Sequence, residues 1–382
     1  MRISLKPRTW VEISRSALEA NVRSLQILLT PATTLCAVVK ANAYGHDITL
    51  TAGMLIEMGI THFAVDNIDE AFVVRRQSKD AVIFILGMTP AERFSEIVTQ
   101  QFVQNIYDEE GLIAIIGAAV SQQAVALINI EIETGLHRLG AMPRTIVDIS
   151  RAIKNNPRSV KLVGVSTHFS SSEDVNAQHI VDAQIDALKN AEVTFAAYDL
   201  HVPYIHAACS AAAILRTQSH LTMVRTGIAL YGLWPSRELH IAVQRGRAFE
   251  LRPVLSWKTT VAQVKDVPNG GGVGYNRTCI ANRPMRIAVL PVGYYDGYDR
   301  HLSNHGVVLL SGRLCPVVGR ICMNMMMVDV SDAPHVKKGD VATLLGREGM
   351  HSVTADELAE RVGTINYEIV TRINPLIPRF VV

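Results

Sequence analysis

The run Leu35-Cys36-Ala37-Val38-Val39, residues 35–39, is the first of eight short apolar segments that alternate with helix-length segments. Each segment has the length and composition of one buried strand. Eight strand–helix units in about 240 residues fit a (β/α)8 barrel, whose usual length is about 250 residues. A Rossmann-type sheet would carry a Gly-x-Gly-x-x-Gly turn near its start, and the chain has none. The eight predicted strands are 35–39, 63–65, 82–86, 102–106, 125–132, 162–166, 202–205 and 223–225.

The pattern changes near residues 245–252, beyond which Gly, Pro and Asn separate short strand-like runs. We therefore predict an α/β fold with an N-terminal (β/α)8 TIM-type barrel, residues 1–245, and a C-terminal mainly β domain, residues 246–382. The first residues are candidates to pair with the second domain. The predicted strands of that domain are 254–264, 285–290, 306–310, 325–330 and 341–344.

The Ser/Thr/Asn-x-x-Glu spacing of a helix start, in which a side-chain oxygen caps the first turn, predicts three helices. Ser16 with Glu19 and Asn67 with Glu70 predict two helix starts in the barrel. Thr354 with Glu357 predicts the late helix of the C-terminal domain.

Composition describes an ordinary globular protein of 382 residues, 48% hydrophobic and 19% charged. A net charge of +2 gives no electrostatic reason to expect nucleic acid or an anionic membrane as partner. The five cysteines are scattered, without Cys-x-x-Cys or zinc-ligand spacing, so we expect a reducing compartment and no metal site. The first ten residues lack the apolar core of a signal peptide, and no stretch has the length of a membrane span. We expect a cytoplasmic protein.

Lys40 follows the first apolar run directly, at the end of a strand where barrel enzymes place their active sites. A partly desolvated lysine there suits Schiff-base chemistry. A solvated lysine at a strand end is the plainer interpretation, and position alone favours it.

The surrounding residues favour the first interpretation. The segment Val38-Val39-Lys40-Ala41-Asn42-Ala43-Tyr44-Gly45-His46 resembles the cofactor-lysine segment of alanine racemases, which are fold-type III pyridoxal-phosphate enzymes. The resemblance recurs from Trp10 to Tyr367. It implies covalent attachment of pyridoxal 5'-phosphate at Lys40, an amino-acid substrate, and a role in supplying D-alanine for peptidoglycan.

Racemisation removes a proton from one face of Cα and returns one to the other, so two acid–base groups are expected. The resemblance makes Lys40 one of them. The other is Tyr275, in Gly272-Val273-Gly274-Tyr275-Asn276-Arg277-Thr278, supplied by the partner subunit of a homodimer. Taken alone, a loop tyrosine is more often a packing or interface residue.

The resemblance also implies a cofactor site. His168 matches the histidine that contacts the second base, and Arg225 matches the arginine that faces the pyridine nitrogen. A permanently charged guanidinium disfavours protonation of that nitrogen, which favours simple proton exchange. Ser210 could equally cap a helix. The residues implied for the phosphate are Tyr44, Ser210, Gly227, Ile228 and Tyr367.

For the substrate, the resemblance implies Arg138 as the carboxylate ligand, assisted by the backbone of Met323 from the partner subunit. Arginine suits this role because its planar fork binds a carboxylate through two hydrogen bonds. Tyr294 and Tyr367 match an aromatic pair that narrows the access corridor. Other positions matched to that corridor are Glu173, His206, Asp296, Arg300 and Arg320.

Several positions depart from the family pattern, among them Leu136-His137, which replaces the common Met-Gly pair. Glu131 stands where many members carry a carbamylated lysine, and we hypothesise that its carboxylate gives Arg138 a negative partner instead; a surface charge is the alternative. Asn324 replaces an aspartate, and Cys209 replaces an asparagine. These changes lie near the expected pocket and leave Lys40 and Tyr275 in place.

Three functions are therefore compared. The first is an alanine racemase, and the second is a racemase of serine or of a broader set of amino acids. The third is a non-enzymatic carrier of pyridoxal phosphate, which the second domain and its Tyr275 disfavour. A decarboxylase is also disfavoured, because Arg225 opposes the strong electron sink that decarboxylation needs.

Overall fold

The computed structural model describes residues 7–245 and 249–382, in two compact units. The barrel unit comprises the described residues of Glu19–Ala43 and Ile48–Arg252, and the β unit comprises those up to Leu18, Tyr44–Asp47 and Pro253–Val382. In chain order the strands are β1 (Thr9–Ile13), β2 (Thr34–Val38), β3 (His62–Val65), β4 (Val82–Ile85), β5 (Val103–Ile106), β6 (Ala126–Glu131), β7 (Val160–Ser166), β8 (Tyr204–His206), β9 (Met223–Thr226), β10 (Leu255–Thr260), β11 (Gln263–Val267), β12 (Gly272–Val273), β13 (Cys279–Ile280), β14 (Met285–Leu290), β15 (Val307–Leu310), β16 (Arg313–Pro316), β17 (Met326–Asp329), β18 (Val341–Glu348), β19 (His351–Val353) and β20 (Arg379–Val381).

Helices follow most of the barrel strands, and two further helices lie near the C-terminal end of the chain in the β unit. Short 3-10 turns lie at Ala91–Arg93, Thr217–Ser219, Tyr275–Arg277, Tyr294–Asp296 and Arg300–Leu302. The helices are α1 (Arg15–Leu28), α2 (Lys40–Tyr44), α3 (Ile48–Glu57), α4 (Ile68–Gln77), α5 (Phe94–Gln100), α6 (Glu109–Ser121), α7 (Pro143–Asn155), α8 (Gln178–Ala197), α9 (Ser210–Leu215), α10 (Arg237–Gln244), α11 (Ala355–Val362) and α12 (Asn366–Thr371).

The barrel consists of parallel strands paired in sequence order from β2 to β8, with β9 beside β2. Closure between β8 and β9 rests on two backbone hydrogen bonds, from Thr222 N to Ile205 O at 3.2 Å and from Arg225 N to Ala208 O at 2.9 Å. Each of the eight strands predicted from the sequence overlaps an observed barrel strand. The predicted fold class, a TIM-type barrel with a C-terminal mainly β domain, is confirmed.

The apolar runs form strands because both faces of a parallel strand are buried between the barrel interior and the surrounding helices. Phe63, Ile83 and Val103 are fully buried in this way. Asn105 and Asn129 interrupt the apolar pattern at equivalent positions of β5 and β6, where they are paired in register. This polar layer lies in the interior of the barrel and leads to the candidate site.

The β unit contains a seven-stranded sheet in the order β16-β15-β18-β10-β1-β20, with β19 on β18, and a three-stranded sheet β11-β14-β17. A further pair is formed by β12 and β13. The single strand predicted at 254–264 is wrong, because the chain changes sheets there. Val261 N donates to Asp340 O at 2.8 Å and Ala262 N to Val289 O at 2.9 Å, so successive residues pair with different sheets.

Two of the three predicted helix starts are confirmed. The Asn67 side chain accepts from Glu70 N, and Thr354 with Glu357 forms a reciprocal capping box at the start of α11. The third prediction is wrong in position. Ser14 Oγ accepts from Ala17 N at 3.3 Å, so α1 is capped two residues earlier and Ser16 lies inside the helix.

The predicted domain boundary between residues 245 and 246 remains a prediction, since residues 246–248 lie outside the described part of the chain. Among the residues that the structure describes, no helix is long and apolar enough to cross a membrane.

Candidate active site

Lys40 stands at the C-terminal end of β2 and opens a left-handed helical turn. The four residues Ala41, Asn42, Ala43 and Tyr44 have φ between +53° and +54°, and Gly45 has φ of +83°. Only glycine adopts this conformation without a steric penalty, which for other residues is about 1–2 kcal/mol each. Four consecutive non-glycine residues therefore store strain directly beside the lysine, as is common at functional sites.

Hydrogen bonds from the barrel unit hold the turn. The Glu70 carboxylate accepts from Asn42 N at 3.2 Å and from Asp66 N at 3.0 Å. The Asn42 side chain in turn accepts from Ile48 N at 2.9 Å, at the start of α3. The strained backbone is thus fixed from two sides, and Glu70, whose spacing from Asn67 predicted only a helix start, braces the turn as well.

The Lys40 amine remains accessible. Its Nζ lies 3.9 Å from Asp66 Oδ1, with 37% of the Lys40 side chain and 57% of the Asp66 side chain exposed. An ion pair of this length and exposure is weak, so it does not tie the amine down. Lys40 therefore presents a primary amine at the mouth of the barrel.

Arg225 lies in the wall of the barrel, almost fully buried, with its guanidinium held by three backbone carbonyls. It donates to His206 O at 2.9 Å, to Thr167 O at 2.8 Å and to Ala207 O at 3.4 Å. It also donates to His206 Nδ1. Burial lowers the pKa of Arg225, while the Glu131 carboxylate opposes that shift. The group remains charged, because arginine does not deprotonate in proteins.

Two histidines beside Arg225 are held neutral. Burial lowers the pKa of His168 to about 3, with further lowering from the charges of Arg225, Arg138 and Lys40. The charges of these three cations therefore all act on the pKa of His168. Burial, followed by the charge of Arg225, also lowers the pKa of His206 well below its usual value. His206 is fully buried with its ring against Arg225, and its assignment to the access corridor stays a prediction.

An anion cradle lies at the end of β9. Ser210 Oγ accepts from Gly227 N at 3.0 Å and from Ala229 N at 3.3 Å. The N-cap of α9 is Cys209 without a side-chain hydrogen bond, so the capping role considered for Ser210 is wrong. Ile228 is buried between these amides, and the buried Thr226 hydroxyl has no hydrogen-bond partner. Ser210 keeps a hydroxyl hydrogen to donate, and the Thr226 hydroxyl is unpaired, so these two hydroxyls beside a pair of backbone amides suit a phosphate.

Glu131 is buried at the end of β6, which excludes its interpretation as a surface charge. Desolvation raises its pKa, and Arg225, the hydrogen bond from Asn105, and Arg138 lower it in that order. Arg138 is exposed and acts on Glu131 through space, whereas the hydrogen bond to the carboxylate comes from Asn105. The charges of Glu131 and Arg138 therefore interact, as the hypothesis that Glu131 is the negative partner of Arg138 requires.

The β unit carries the remaining predicted residues, many of them exposed. Tyr275 is 68% exposed and Met323 is 55% exposed. The Tyr44 and Tyr367 rings lie 6.1 Å apart, tilted by 49°. The segments of Tyr294 and Met323 are joined, since Tyr294 N donates to Cys322 O at 3.1 Å and Tyr295 N donates to Met323 O at 3.0 Å.

Two corridor residues of the β unit share a hollow of about 330 Å³. Arg300 and Arg320 line it together with Thr278, His301 and Asn304. Asp296, also assigned to the corridor, is instead buried and accepts from Gly293 N at 2.9 Å. The carboxylate stabilises its own turn, and its assignment to the corridor stays a prediction. In the barrel unit, Glu173 is exposed, and its backbone carbonyl accepts from Ser236 Oγ at 3.4 Å.

Comparison with known proteins is consistent along the chain. Residues 13–235 match the family model of the alanine racemase N-terminal domain, and residues 254–381 match that of the alanine racemase C-terminal domain. The chain is similar to the alanine racemase of Leptospira interrogans, 35% identical over 377 residues, covering 98% of this chain and 96% of the relative.

Solved structures give the same result. The alanine racemase of Bacillus anthracis with bound L-Ala-P superposes with a TM-score of 0.91 at 32% identity, covering 99% of this chain and 96% of that chain. The alanine racemase of Bartonella henselae, described with covalently bound pyridoxal phosphate, has a TM-score of 0.86 at 24% identity, covering 99% of this chain and all of that chain, 100%. At this low identity, the similarity to the Bartonella henselae structure shows the fold alone.

Replacing Ala41 by glycine tests the strain in the turn. We expect Ala41→Gly to raise the free energy of unfolding by about 0.5–1 kcal/mol, because relief of the left-handed penalty exceeds the added entropy of the unfolded chain. The matched control is Ala183→Gly, at an exposed position of α8, which should lower it by about 1 kcal/mol. Urea unfolding measures both. A loss of stability in both variants would contradict strain at Ala41.

The neutral state of His168 predicts a pH dependence of stability. The folded protein leaves His168 uncharged down to about pH 3. An unfolded histidine takes up a proton below about pH 6.5. The unfolded state therefore binds more protons between these values, so stability is lost as pH falls through this window. When the pH falls from about 7 to about 5, His168 should lower the free energy of unfolding by about 2 kcal/mol. Urea unfolding of His168→Gln should show a correspondingly smaller loss, and equal losses in both proteins would contradict the neutral state.

Proposed function

The chain belongs to the alanine racemase family, and from this premise we propose how its own residues interconvert L- and D-alanine. The carrying observation is that the charges of Lys40, Arg138 and Arg225 all lower the pKa of one buried histidine, His168. An amine, a candidate carboxylate ligand and a fixed cation therefore act on the same group at the end of the barrel. The comparisons support alanine rather than serine as substrate, and an enzyme rather than a carrier.

The residues present fit pyridoxal phosphate, on which the family depends. Lys40 offers the primary amine for the aldehyde. The Ser210 hydroxyl and the amides of Gly227 and Ile228 would hold the phosphate, and the unpaired Thr226 hydroxyl lies beside them. Tyr44 and Tyr367 of the β unit would complete this set. When bound, the cofactor supplies an electron-withdrawing ring that acidifies the Cα–H bond of an attached amino acid.

Two residues would move the proton. Lys40 Nζ serves one face of Cα, and Tyr275 Oη serves the other, so each enantiomer is deprotonated by one group and reprotonated by the other. Lys40 suits this role because its amine is only weakly paired to Asp66. His168 stays neutral and therefore can accept a hydrogen bond from a tyrosine without adding charge to the site.

Substrate binding would fall to Arg138, whose exposed guanidinium can pair with the alanine carboxylate through two hydrogen bonds. The buried Glu131 carboxylate supplies a negative charge that acts on Arg138. The backbone of Met323 would assist. Its segment is joined to that of Tyr294, which with Tyr367 would narrow the approach that Glu173, Arg300 and Arg320 border.

Arg225 would set the kind of reaction. With the cofactor bound, this buried and permanently charged guanidinium would disfavour protonation of the pyridine nitrogen. Arg225 would thereby favour proton exchange at Cα over decarboxylation.

We further propose a cytoplasmic homodimer in which Tyr275 and Met323 of one subunit serve Lys40 of the other. The exposure of both side chains is compatible with this arrangement, since tyrosine and methionine are enriched in the cores of protein interfaces. The five cysteines are all free, which agrees with a reducing compartment.

Exchange in D2O tests this function directly. The protein with pyridoxal phosphate should convert L-alanine to D-alanine with deuterium at Cα, and convert L-serine more slowly. Tyr275→Phe should slow the reaction by about 10²–10⁴-fold. The exchange of the Cα proton for deuterium should slow more for one enantiomer of alanine than for the other, because only one face of Cα loses its base. Chiral chromatography with mass spectrometry follows both, and equal exchange on both faces in Tyr275→Phe would argue against two bases.

A further inference from the structure

A chain of hydrogen bonds crosses the barrel interior from Arg225 to Glu131. Arg225 donates to His206 Nδ1, and His206 Nε2 lies 3.0 Å from Asn129 Oδ1. Asn129 Nδ2 donates to Asn105 Oδ1 at 2.6 Å, and Asn105 Nδ2 donates to the Glu131 carboxylate. The five residues belong to four strands, β9, β8, β6 and β5, so the chain ties opposite parts of the barrel wall together.

The direction of every bond in the chain is fixed by its ends. A guanidinium can only donate, so His206 Nδ1 must accept and the ring proton must sit on Nε2. That proton requires an acceptor, which orients the Asn129 amide with its oxygen toward His206. The Asn129 NH2 group then donates to Asn105 and also to Ser166 Oγ at 2.8 Å.

The Asn105 NH2 group donates to Leu86 O at 3.1 Å and to Glu131. Glu131 ends the chain as a carboxylate, which only accepts. Inverting any one amide would bring two donors or two acceptors together. The chain therefore runs in one direction, from a buried cation to a buried anion, and each member orients the next.

Gly164 makes room for this chain. A Cβ on Gly164 would lie 2.5 Å from Asn129 Oδ1 and 3.2 Å from His206 Nε2, which are the two atoms of the central hydrogen bond. The glycine has an ordinary backbone conformation, so close approach rather than torsion requires it. His206, Asn129 and Asn105 are all at most 2% exposed, so water does not replace the bonds they make.

We propose that Asn129, Asn105 and Glu131 are positioning residues for Arg225. They act through His206, which they hold with its proton on Nε2 and its Nδ1 lone pair toward the guanidinium. The guanidinium then keeps one orientation at the barrel mouth. The Glu131 carboxylate also offsets the positive charge that the barrel buries. In agreement with this, Arg225 lowers the pKa of Glu131 and Glu131 raises the pKa of Arg225.

This inference rests on the proposed function, because it gives Arg225 its role beside the cofactor. It predicts a signal that does not depend on that role. The buried, hydrogen-bonded Nε2–H of His206 should give a downfield proton resonance that exchanges slowly with solvent, with or without cofactor. The resonance is assigned by its absence in His206→Gln.

Two variants break the chain and leave Arg225 and His206 unsubstituted. Asn129→Leu removes the central amide at similar volume, and Gly164→Ala pushes that amide away. The matched control is Thr89→Val, which breaks a buried bond of 2.8 Å to Gln104 in the same barrel, outside the chain. For each protein we would record the His206 resonance, the visible absorbance band of the bound cofactor, the melting temperature, and kcat and KM for alanine.

We expect both chain variants to lose the slowly exchanging resonance and to shift the visible band. Their kcat should fall about 10- to 100-fold, as for a misplaced active-site group, with KM little changed. Thr89→Val should change only the melting temperature. Chain variants that keep the resonance and the band of the parent, or that match Thr89→Val in every readout, would overturn the proposal. A protein that binds no cofactor yet shows the resonance would instead count against the proposed function.

Discussion

The burial of one permanent positive charge, the guanidinium of Arg225, is the constraint on which the rest of the site depends. Removing such a group from water is costly unless hydrogen bonds and opposite charge compensate it. The barrel supplies carbonyl groups from the ends of β7 and β8, a neutral His206, and the Glu131 carboxylate across the interior. Burial, followed by the charges of Arg225, Arg138 and Lys40, lowers the pKa of His168 and keeps it neutral. The protonation states around the barrel mouth therefore follow from burial and from the cation that is buried with these groups.

A second cost is concentrated next to Lys40. The left-handed turn after β2 holds four non-glycine residues at positive φ, and the Glu70 carboxylate braces it by binding the amides of Asn42 and Asp66. The result is an amine at the strand end whose backbone cannot relax. The barrel thus carries both the strained turn and the buried charge. Both are destabilising, and the packing of the hydrophobic strands offsets their cost.

The sequence predicted the barrel well because its strands are buried on both faces and read as continuous apolar runs. It also placed Lys40 at a strand end and brought Arg138, His168 and Arg225 into one site through the family resemblance. It could not predict the sheet change at Val261 and Ala262, since local pattern does not reveal which partner strand each residue meets. Other features depend on long-range contacts between strands. They include the burial of His206 against Arg225 and the Asn105–Asn129 layer, whose only local signal was a polar residue inside an apolar run.

The central claim is that one amine, Lys40 Nζ, both holds the cofactor and exchanges the proton. The most direct measurement compares Lys40→Ala with Lys189→Ala, an exposed lysine on α8, after loading with pyridoxal phosphate and reduction with borohydride. The account predicts a stable covalent label and full racemisation in Lys189→Ala. In Lys40→Ala it predicts no label at the active site and racemisation reduced by about 10³-fold or more. A Lys40→Ala protein that still interconverts L- and D-alanine at the parent rate would contradict it.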